Sequence, residues 1–224
     1  KSGLGLFLHW GLASVPPNTG DAWAMVYSKD RSKENGMLRT PEEMFSVADT
    51  WNPASYDPGK WMAAASKGGF GYAVLTTRHH DGYCLWPSEQ GDWDTGEHMN
   101  GRDLVKDYVE ACRENNIRVG FYYSGPNWHF DYKNKDFSWP PQGYNYKHDK
   151  VELDPPLAAI MGYDPPLPGD GDRLEQAEST EQVRELMTRY GPIDMMWWDG
   201  NSIMTEAELA EIQPDIFVAR GNIA

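Results

Sequence analysis

The segment Ile193–Gly200 constrains the fold of this chain more than any other. It reads IDMMWWDG, so a mostly apolar and aromatic run ends in an aspartate and a glycine. Such a run is typical of a strand covered on both faces, as in the parallel sheet of an α/β protein. Asp199 then stands at the carboxyl end of the strand, where barrel enzymes place their catalytic groups. Taken alone, an Asp-Gly pair also indicates an ordinary turn.

Four further β-rich segments alternate with helical ones along the chain. Strands are predicted near residues 4–10, 72–79, 117–124, 193–199 and 216–220, and helices over 41–47, 58–67, 103–115, 180–190 and 205–212. Strands separated by helices indicate right-handed βαβ units and a parallel sheet. An open doubly wound sheet fits this pattern, and so does a barrel with about five strands represented. No GxGxxG follows the first strand, which disfavours a dinucleotide-binding sheet.

The span 125–172 interrupts the alternation of strands and helices. It is dense in Pro, Gly, Tyr and Asp, with Pro-Pro pairs at 140, 155 and 165. A long irregular segment inside a compact domain is typical of a functional insertion. No linker divides the chain elsewhere. We therefore predict one domain over residues 1–224, with 125–172 as a long insertion loop.

Charge and aromatic content narrow the classes of ligand. The net charge is −14, with 34 acidic against 20 basic residues, and such a surface repels phosphate backbones. Nucleic acid and anionic membranes are therefore not expected as partners, and no apolar run reaches membrane length. Ten Trp, twelve Tyr and seven Phe provide flat apolar rings, which suit the C–H faces of neutral sugars as well as a large core.

Polar or aromatic residues stand at the carboxyl end of every predicted strand. They are His9-Trp10, Arg78–Asp81, Tyr123-Ser124, Trp197–Asp199 and Arg220. Polar groups that end apolar strands are satisfied if they face one common cleft, which favours the barrel. The cleft could hold a metal ion, bound by its histidines and aspartates, or a sugar without metal. We expect the adjacent His79 and His80 to point to opposite faces of an extended strand, which disfavours metal.

A sugar site without metal uses these residue types directly. Imidazoles and the guanidinium of Arg220 hydrogen-bond hydroxyl groups, and Trp197 offers a stacking face. A carboxylate such as Asp199 can attack an anomeric carbon. Trp197 and Asp199 are two residues apart, so on a strand they share a face.

Together, four motifs resemble the α-L-fucosidases of glycoside hydrolase family 29, and they occur in that family's order. They are Phe7–Gly11 with Ser14–Pro16, Thr77–Trp86, Gly120–Ser124 and Trp197–Gly200. The resemblance implies a (β/α)8 TIM-like barrel, of which residues 1–224 would be a partial glycosidase catalytic domain. It also implies hydrolysis of terminal α-linked L-fucose with retention, and neither metal nor another cofactor.

Carried over residue by residue, the resemblance makes Asp199 the nucleophile. It assigns substrate contacts to His9, His79, His80, Trp197 and Arg220. After the first strand the family often has a Glu-Trp pair that binds the sugar, and here Asp21 and Trp23 are displaced substitutes. The acid/base carboxyl, which retaining chemistry requires about 5–5.5 Å from the nucleophile, is expected beyond Ala224.

The leading hypothesis is a retaining exo-α-L-fucosidase that forms a covalent glycosyl-enzyme on Asp199. Its substrate would be a fucosylated oligosaccharide or glycoconjugate, and we expect a secreted, periplasmic or lysosomal protein although no signal segment is visible. A non-catalytic glycan-binding protein with a degenerate glycosidase fold and an α-L-galactosidase-like enzyme remain alternatives. A third is metal-dependent hydrolysis through His9, His79, His80 and Asp81. The oligomeric state is not predicted.

Overall fold

The structure is a computed structural model that describes residues 3–15, 44–134 and 171–220. Within these ranges the strands form one parallel sheet of five, in the order β1-β2-β3-β4-β5. Their bounds are β1 Gly5–Leu8, β2 Tyr72–Arg78, β3 Arg118–Ser124, β4 Met195–Asp199 and β5 Phe217–Arg220. The five predicted strands and the α/β class are confirmed.

Helices and short 3₁₀ turns connect the strands. The helices are α1 Pro58–Lys67, α2 Thr95–His98, α3 Leu104–Glu114, α4 Trp128–Asn134, α5 Gly171–Arg189 and α6 Glu206–Ile212, with 3₁₀ turns at Leu12–Ser14 and Ser46–Asp49. The helices predicted over 58–67, 103–115 and 205–212 are confirmed. No described helix is both long and apolar enough to pass through a membrane.

Four helical regions differ from the sequence prediction. The helix predicted over 180–190 begins earlier, at Gly171, and α2 was not predicted. Helix α4 lies inside the predicted insertion loop 125–172, of which residues 135–170 are outside the described ranges. The helix predicted over 41–47 is represented by a helical turn at 44–45 that leads into the 3₁₀ turn Ser46–Asp49.

Side-chain caps begin several helices. Asp57 accepts a hydrogen bond from Lys60 N at 3.0 Å, and Asp103 accepts one from Lys106 N at 2.8 Å. Each cap satisfies a backbone N–H that has no partner within its helix. Asp103 also accepts a hydrogen bond from the Tyr190 hydroxyl at 2.9 Å, which ties the start of α3 to the end of α5.

Residues of the sheet alternate between two faces that have different surroundings. Phe121 faces the helices, because its ring contacts Tyr108 of α3 and Tyr190 after α5. The opposite face carries two rows aligned across strands, as in the layered interior of a barrel. The first row is Phe7, Val74, Gly120, Met195 and Phe217, and the second is Thr76, Tyr122, Trp197 and Ala219.

Gly120 is required where the first row is crowded. A Cβ atom at this position would lie 2.8 Å from the carbonyl oxygen of Ala73 and 2.9 Å from Cγ2 of Val74. Both distances are shorter than a carbon atom tolerates. The absence of a side chain here lets β2, β3 and β4 pack side by side.

Hydrogen bonds to the buried carboxylate of Glu185 connect the segment after β2 to helix α5. This carboxylate accepts hydrogen bonds from Trp86 Nε1 at 2.7 Å, Ser88 Oγ at 2.9 Å and Glu89 N at 2.8 Å. Arg189, one turn further along α5, donates to the same carboxylate at 3.0 Å. Four donors around one buried anion offset its loss of hydration.

The pairing of β2 with β3 is irregular at its carboxyl end. Thr76 is opposite Tyr122, but Arg78 is opposite Tyr123, so the register shifts by one residue between them. Arg78 is fully buried on the helix side. The strand ends there, and a turn closed by Gly82 N donating to His79 O at 2.9 Å follows. Gly82 has a φ of +75°, which favours glycine.

Candidate functional site

The carboxyl ends of β2, β3 and β4 bring four polar side chains together. Asp199 ends β4, Ser124 is opposite it on β3, and His79 and His80 directly follow β2. One side-chain atom from each of His79, His80 and Asp199 lies within 4.8 Å of the other two. We call these three residues the tip cluster.

Among the described residues, the contacts of the Asp199 side chain are on one carboxylate oxygen, Oδ2. The Tyr122 hydroxyl donates a hydrogen bond to Oδ2, and His80 Nε2 lies 3.6 Å from the same atom. The backbone oxygen of Asp199 accepts a hydrogen bond from Gly125 N at 2.9 Å. The side chain remains 26% exposed, so a ligand in the cleft can reach it.

His80 is buried and neutral. Its Nδ1 is hydrogen-bonded to Ser124 Oγ, and its ring centre lies 4.9 Å from that of Trp128 in α4. Burial lowers the pKa of His80 to about 4, although the Asp199 carboxylate acts in the opposite direction. At neutral pH the ring is therefore uncharged, and its nitrogen atoms can donate or accept hydrogen bonds.

His79 is also buried and neutral, and its ring is parallel to that of Tyr122 with 5.7 Å between ring centres. Burial, with smaller contributions from His80 and His9, lowers the pKa of His79 well below its usual range. Its Nδ1 atom is buried and has no hydrogen-bond partner in the described part of the chain. The ring centre of His9, which follows β1, is 4.6 Å away.

The prediction that His79 and His80 point to opposite faces is wrong. Their ring centres are 4.4 Å apart, and both rings lie on the side of Asp199. The reason is that β2 already ends at Arg78, after the register shift. The turn that closes at Gly82 removes the alternation on which the prediction depended.

Aromatic side chains form one wall beside the tip cluster. The Phe7 ring stands edge-on to Trp197 at 5.2 Å and to Tyr122 at 6.0 Å. Phe7 is 43% exposed and Trp197 is half-buried, so both rings present apolar surface to the cleft. A partly exposed carboxylate, neutral imidazoles and aromatic edges together suit a ligand with hydroxyl groups on one side and an apolar patch on another.

Comparison with known proteins identifies the family. The family model described as alpha-L-fucosidase matches residues 1–218 of the 224-residue chain. This chain belongs to the alpha-L-fucosidase family. It has the (β/α)8 barrel fold of glycoside hydrolase family 29, with five strands present among the described residues, so the predicted fold and family are confirmed.

Several individual fucosidases resemble the chain over most of its length. The alpha-L-fucosidase of Branchiostoma floridae is 32% identical over 75% of this chain and 39% of its own. The tissue alpha-L-fucosidase of Bos taurus is 28% identical over 88% of this chain and 37% of its own. Isoenzyme 1 of Paenibacillus thiaminolyticus is 29% identical, with a TM-score of 0.63 over 96% of this chain and 47% of that structure. The chain thus spans less than half the length of these three fucosidases.

The fold brings most of the predicted fucosidase site residues to one place. His9, His79, His80, Trp197 and Asp199 surround the cleft that the wall and the tip cluster form. Arg220 ends β5 opposite Trp198, and this register puts it on the other strand face from Trp197. It is exposed, and its role stays a prediction. Asp21 and Trp23 lie outside the described residues.

Tyr122 is a residue of this site that sequence reasoning missed. The sequence marked Tyr123-Ser124 as the end of β3, but Tyr123 is fully buried on the helix side. Tyr122 contacts Phe7, His9 and His79 and donates to Asp199. The signal was its spacing of two from Ser124, which puts both side chains on the face that carries Trp197 and Asp199.

The tip cluster also keeps metal binding open as an alternative. It groups Asp199, and not the predicted Asp81, with the two histidines. Asp81 is 2% exposed, and its Oδ1 accepts a hydrogen bond from Tyr83 N at 2.9 Å, so it stabilises the turn after β2. That no metal is needed stays a prediction, which a chelator can test.

Proposed function

We propose that this chain provides the fucose-binding part and the nucleophile, Asp199, of a retaining exo-α-L-fucosidase. The observation that carries the proposal is the partly exposed carboxylate of Asp199 beside two neutral imidazoles at the ends of adjacent parallel strands. Family membership supports the reaction class. A related structure, alpha-L-fucosidase AlfC of Lactobacillus casei, contains the α-L-fucose product and is 25% identical, with a TM-score of 0.65.

The contacts around Asp199 assign a separate role to each of its oxygen atoms. Tyr122 donates a hydrogen bond to Oδ2, so we assign the attack on the anomeric carbon to Oδ1. The new C1–Oδ1 bond forms as the bond from C1 to the leaving oxygen breaks. A carboxylic acid, which we expect beyond Ala224, protonates that oxygen. Water then cleaves the glycosyl ester and releases fucose with its original anomeric configuration.

The remaining residues bind the sugar in this proposal. His9, His79 and His80 hydrogen-bond hydroxyl groups, while Phe7 and Trp197 pack against apolar parts of the ring. Arg220, Asp21 and Trp23 stay candidates for further contacts. The substrate is a fucosylated oligosaccharide or glycoconjugate, and the protein acts in a secreted, periplasmic or lysosomal location.

Hydrolysis of an aryl α-L-fucoside by the protein in its native length tests the proposal. Asp199→Asn should lower kcat about 10³-fold or more, because the covalent step loses its nucleophile. Asp199→Gly supplied with azide should form the β-L-fucosyl azide, since azide then attacks from the vacated side. Asp107→Asn, on the exposed face of α3, is the matched control and should keep full activity. Unchanged activity of Asp199→Asn would contradict the assignment.

The same assay separates the alternatives. Saturable L-fucose binding without turnover would favour a glycan-binding protein. Comparable rates on an aryl α-L-galactoside would favour the galactosidase reading, because L-galactose adds only a hydroxyl group at C6, which apolar pockets reject weakly. Loss of activity with a chelator, restored by a divalent ion, would favour metal-dependent hydrolysis at the tip cluster.

A further inference from the structure

Arg78 is a buried cation surrounded by neutral oxygen atoms. Its side chain is fully buried between the sheet and α5. Nη1 donates to Ser179 Oγ at 3.0 Å and Gln182 Oε1 at 2.8 Å, and the guanidinium lies 4.1 Å from the ring centre of Tyr123. Within the described ranges no carboxylate is hydrogen-bonded to it. Burying a charge is costly, so the oxygen atoms that compensate it are strongly held in place.

The other terminal nitrogen of the guanidinium, Nη2, faces three consecutive backbone carbonyl groups. Nη2 lies 2.7 Å from Ser124 O, 3.2 Å from Gly125 O and 3.4 Å from Pro126 O. Carbonyl oxygens that point at one place repel each other, and a cation at that place removes the repulsion. Arg78 therefore stabilises the turn that follows β3.

This turn determines whether the Ser124 hydroxyl donates a hydrogen bond to His80 or accepts one from it. A serine hydroxyl has one hydrogen, and Ser124 Oγ donates it to Pro126 O at 3.0 Å. Ser124 Oγ must then accept the hydrogen of its bond with His80 Nδ1. Because His80 is neutral, its other nitrogen, Nε2, carries the lone pair, and this atom lies 3.6 Å from Asp199 Oδ2.

We propose that Arg78 and Ser124 are positioning residues that keep the proton of His80 on Nδ1 and present the Nε2 lone pair beside Asp199. A nitrogen lone pair only accepts hydrogen bonds, so a ligand group that approaches Nε2 must bring a hydrogen to donate. This last step rests on the proposed function, in which the donor is a hydroxyl group of the fucosyl ring. The tautomer itself does not depend on it.

Nitrogen NMR of histidine-labelled protein tests the tautomer directly, because ring protonation on Nδ1 and Nε2 gives different cross-peak patterns. We expect His80 to be protonated on Nδ1 at pH 7. Ser124→Ala should shift it to the Nε2 form, because the acceptor for the Nδ1 hydrogen is lost. Ser179→Ala is the matched control, since it removes one Arg78 hydrogen bond and leaves Ser124 intact. An Nε2-protonated ring in the parent protein, or an unchanged ring in Ser124→Ala, would overturn the proposal.

Arg78→Met tests the contribution of the cation and should give a mixture of the two tautomers. If that variant does not fold, Arg78→Lys replaces it, because the ammonium keeps the charge without the planar fork, and the same mixture is expected. A pure Nδ1 form in either folded variant would remove Arg78 from the proposal. Added L-fucose should shift the Nε2 resonance of the parent protein. If His80 has the expected tautomer but L-fucose causes no shift, the proposed ligand is wrong and the positioning role of Arg78 and Ser124 is retained.

Discussion

Acid should destabilise this chain through His129, and a ring that cannot be protonated should remove that effect. His129 lies on α4, where it stacks on Trp93 with 4.0 Å between ring centres and meets Phe45 edge-on at 4.9 Å. Burial, assisted by the charge of Lys133, lowers the pKa of His129 from 6.5 to about 4. In the unfolded chain the ring has its ordinary pKa.

The pH window and the magnitude follow from these two pKa values. Between pH 6.5 and pH 4 the unfolded state binds a proton that the folded state does not, so stability falls as pH falls through this window. Linkage gives a loss of about 2 kcal/mol from His129 between pH 7.5 and pH 5. The contribution of this residue is fully retained above the window.

His129→Phe keeps an aromatic ring against Trp93 and removes the titration. Urea unfolding at pH 7.5 and pH 5, followed by tryptophan fluorescence, gives the free energy of unfolding of both proteins. The parent should lose about 2 kcal/mol more than the variant between these pH values. His79 and His80 titrate in both proteins, so their contributions cancel. Equal losses would refute the argument that packing keeps the His129 ring neutral.

Three further substitutions test other parts of the structure. Glu185→Ala should lower the free energy of unfolding by about 3–5 kcal/mol because it leaves buried donors unpaired, whereas Glu181→Ala on the exposed face of α5 should change it by less than about 0.5 kcal/mol. Tyr122→Phe should lower kcat/KM for an aryl α-L-fucoside about 10- to 100-fold, the equivalent of about 1.5–3 kcal/mol for a hydrogen bond to the charged Asp199, and unchanged kinetics would contradict its role. Gly120→Ala should cost about 1–3 kcal/mol in urea unfolding through overpacking, and a fully stable variant would contradict the close approach of β2 to β3.

The sequence was sufficient for the strands and for the position of Asp199. Apolar runs such as Tyr72–Arg78 and Met195–Asp199 are long enough to be recognised by themselves, and parallel pairing then brings their carboxyl ends to one edge. The early start of α5 could not be predicted in this way. Residues 171–178 are mostly polar and lack the apolar stripe that marks a helix against a core.

The arrangement of side chains inside the site could not be predicted, because it depends on the register between strands and local sequence does not specify that register. Tyr122 enters the site because its register aligns it with Trp197, and His79 joins His80 because β2 shifts register and then turns. Burial of Arg78 was equally hidden, since an arginine beside a strand end is usually exposed. Its acceptors come from β3 and α5, far away along the chain.

The order of the strands in the sheet has a consequence for synthesis of the chain. Each strand pairs with the one made just before it, so a growing chain can extend its sheet without waiting for distant segments. The longest delay is between β3 and β4, because residues 125–194 must be translated first. At ordinary rates of about 5–20 residues per second, the edge of β3 stays open for roughly 4–14 s. During that interval Phe121 and Tyr123 also lack the cover that α5 later provides, so the nascent sheet is most exposed to wrong pairing at this stage.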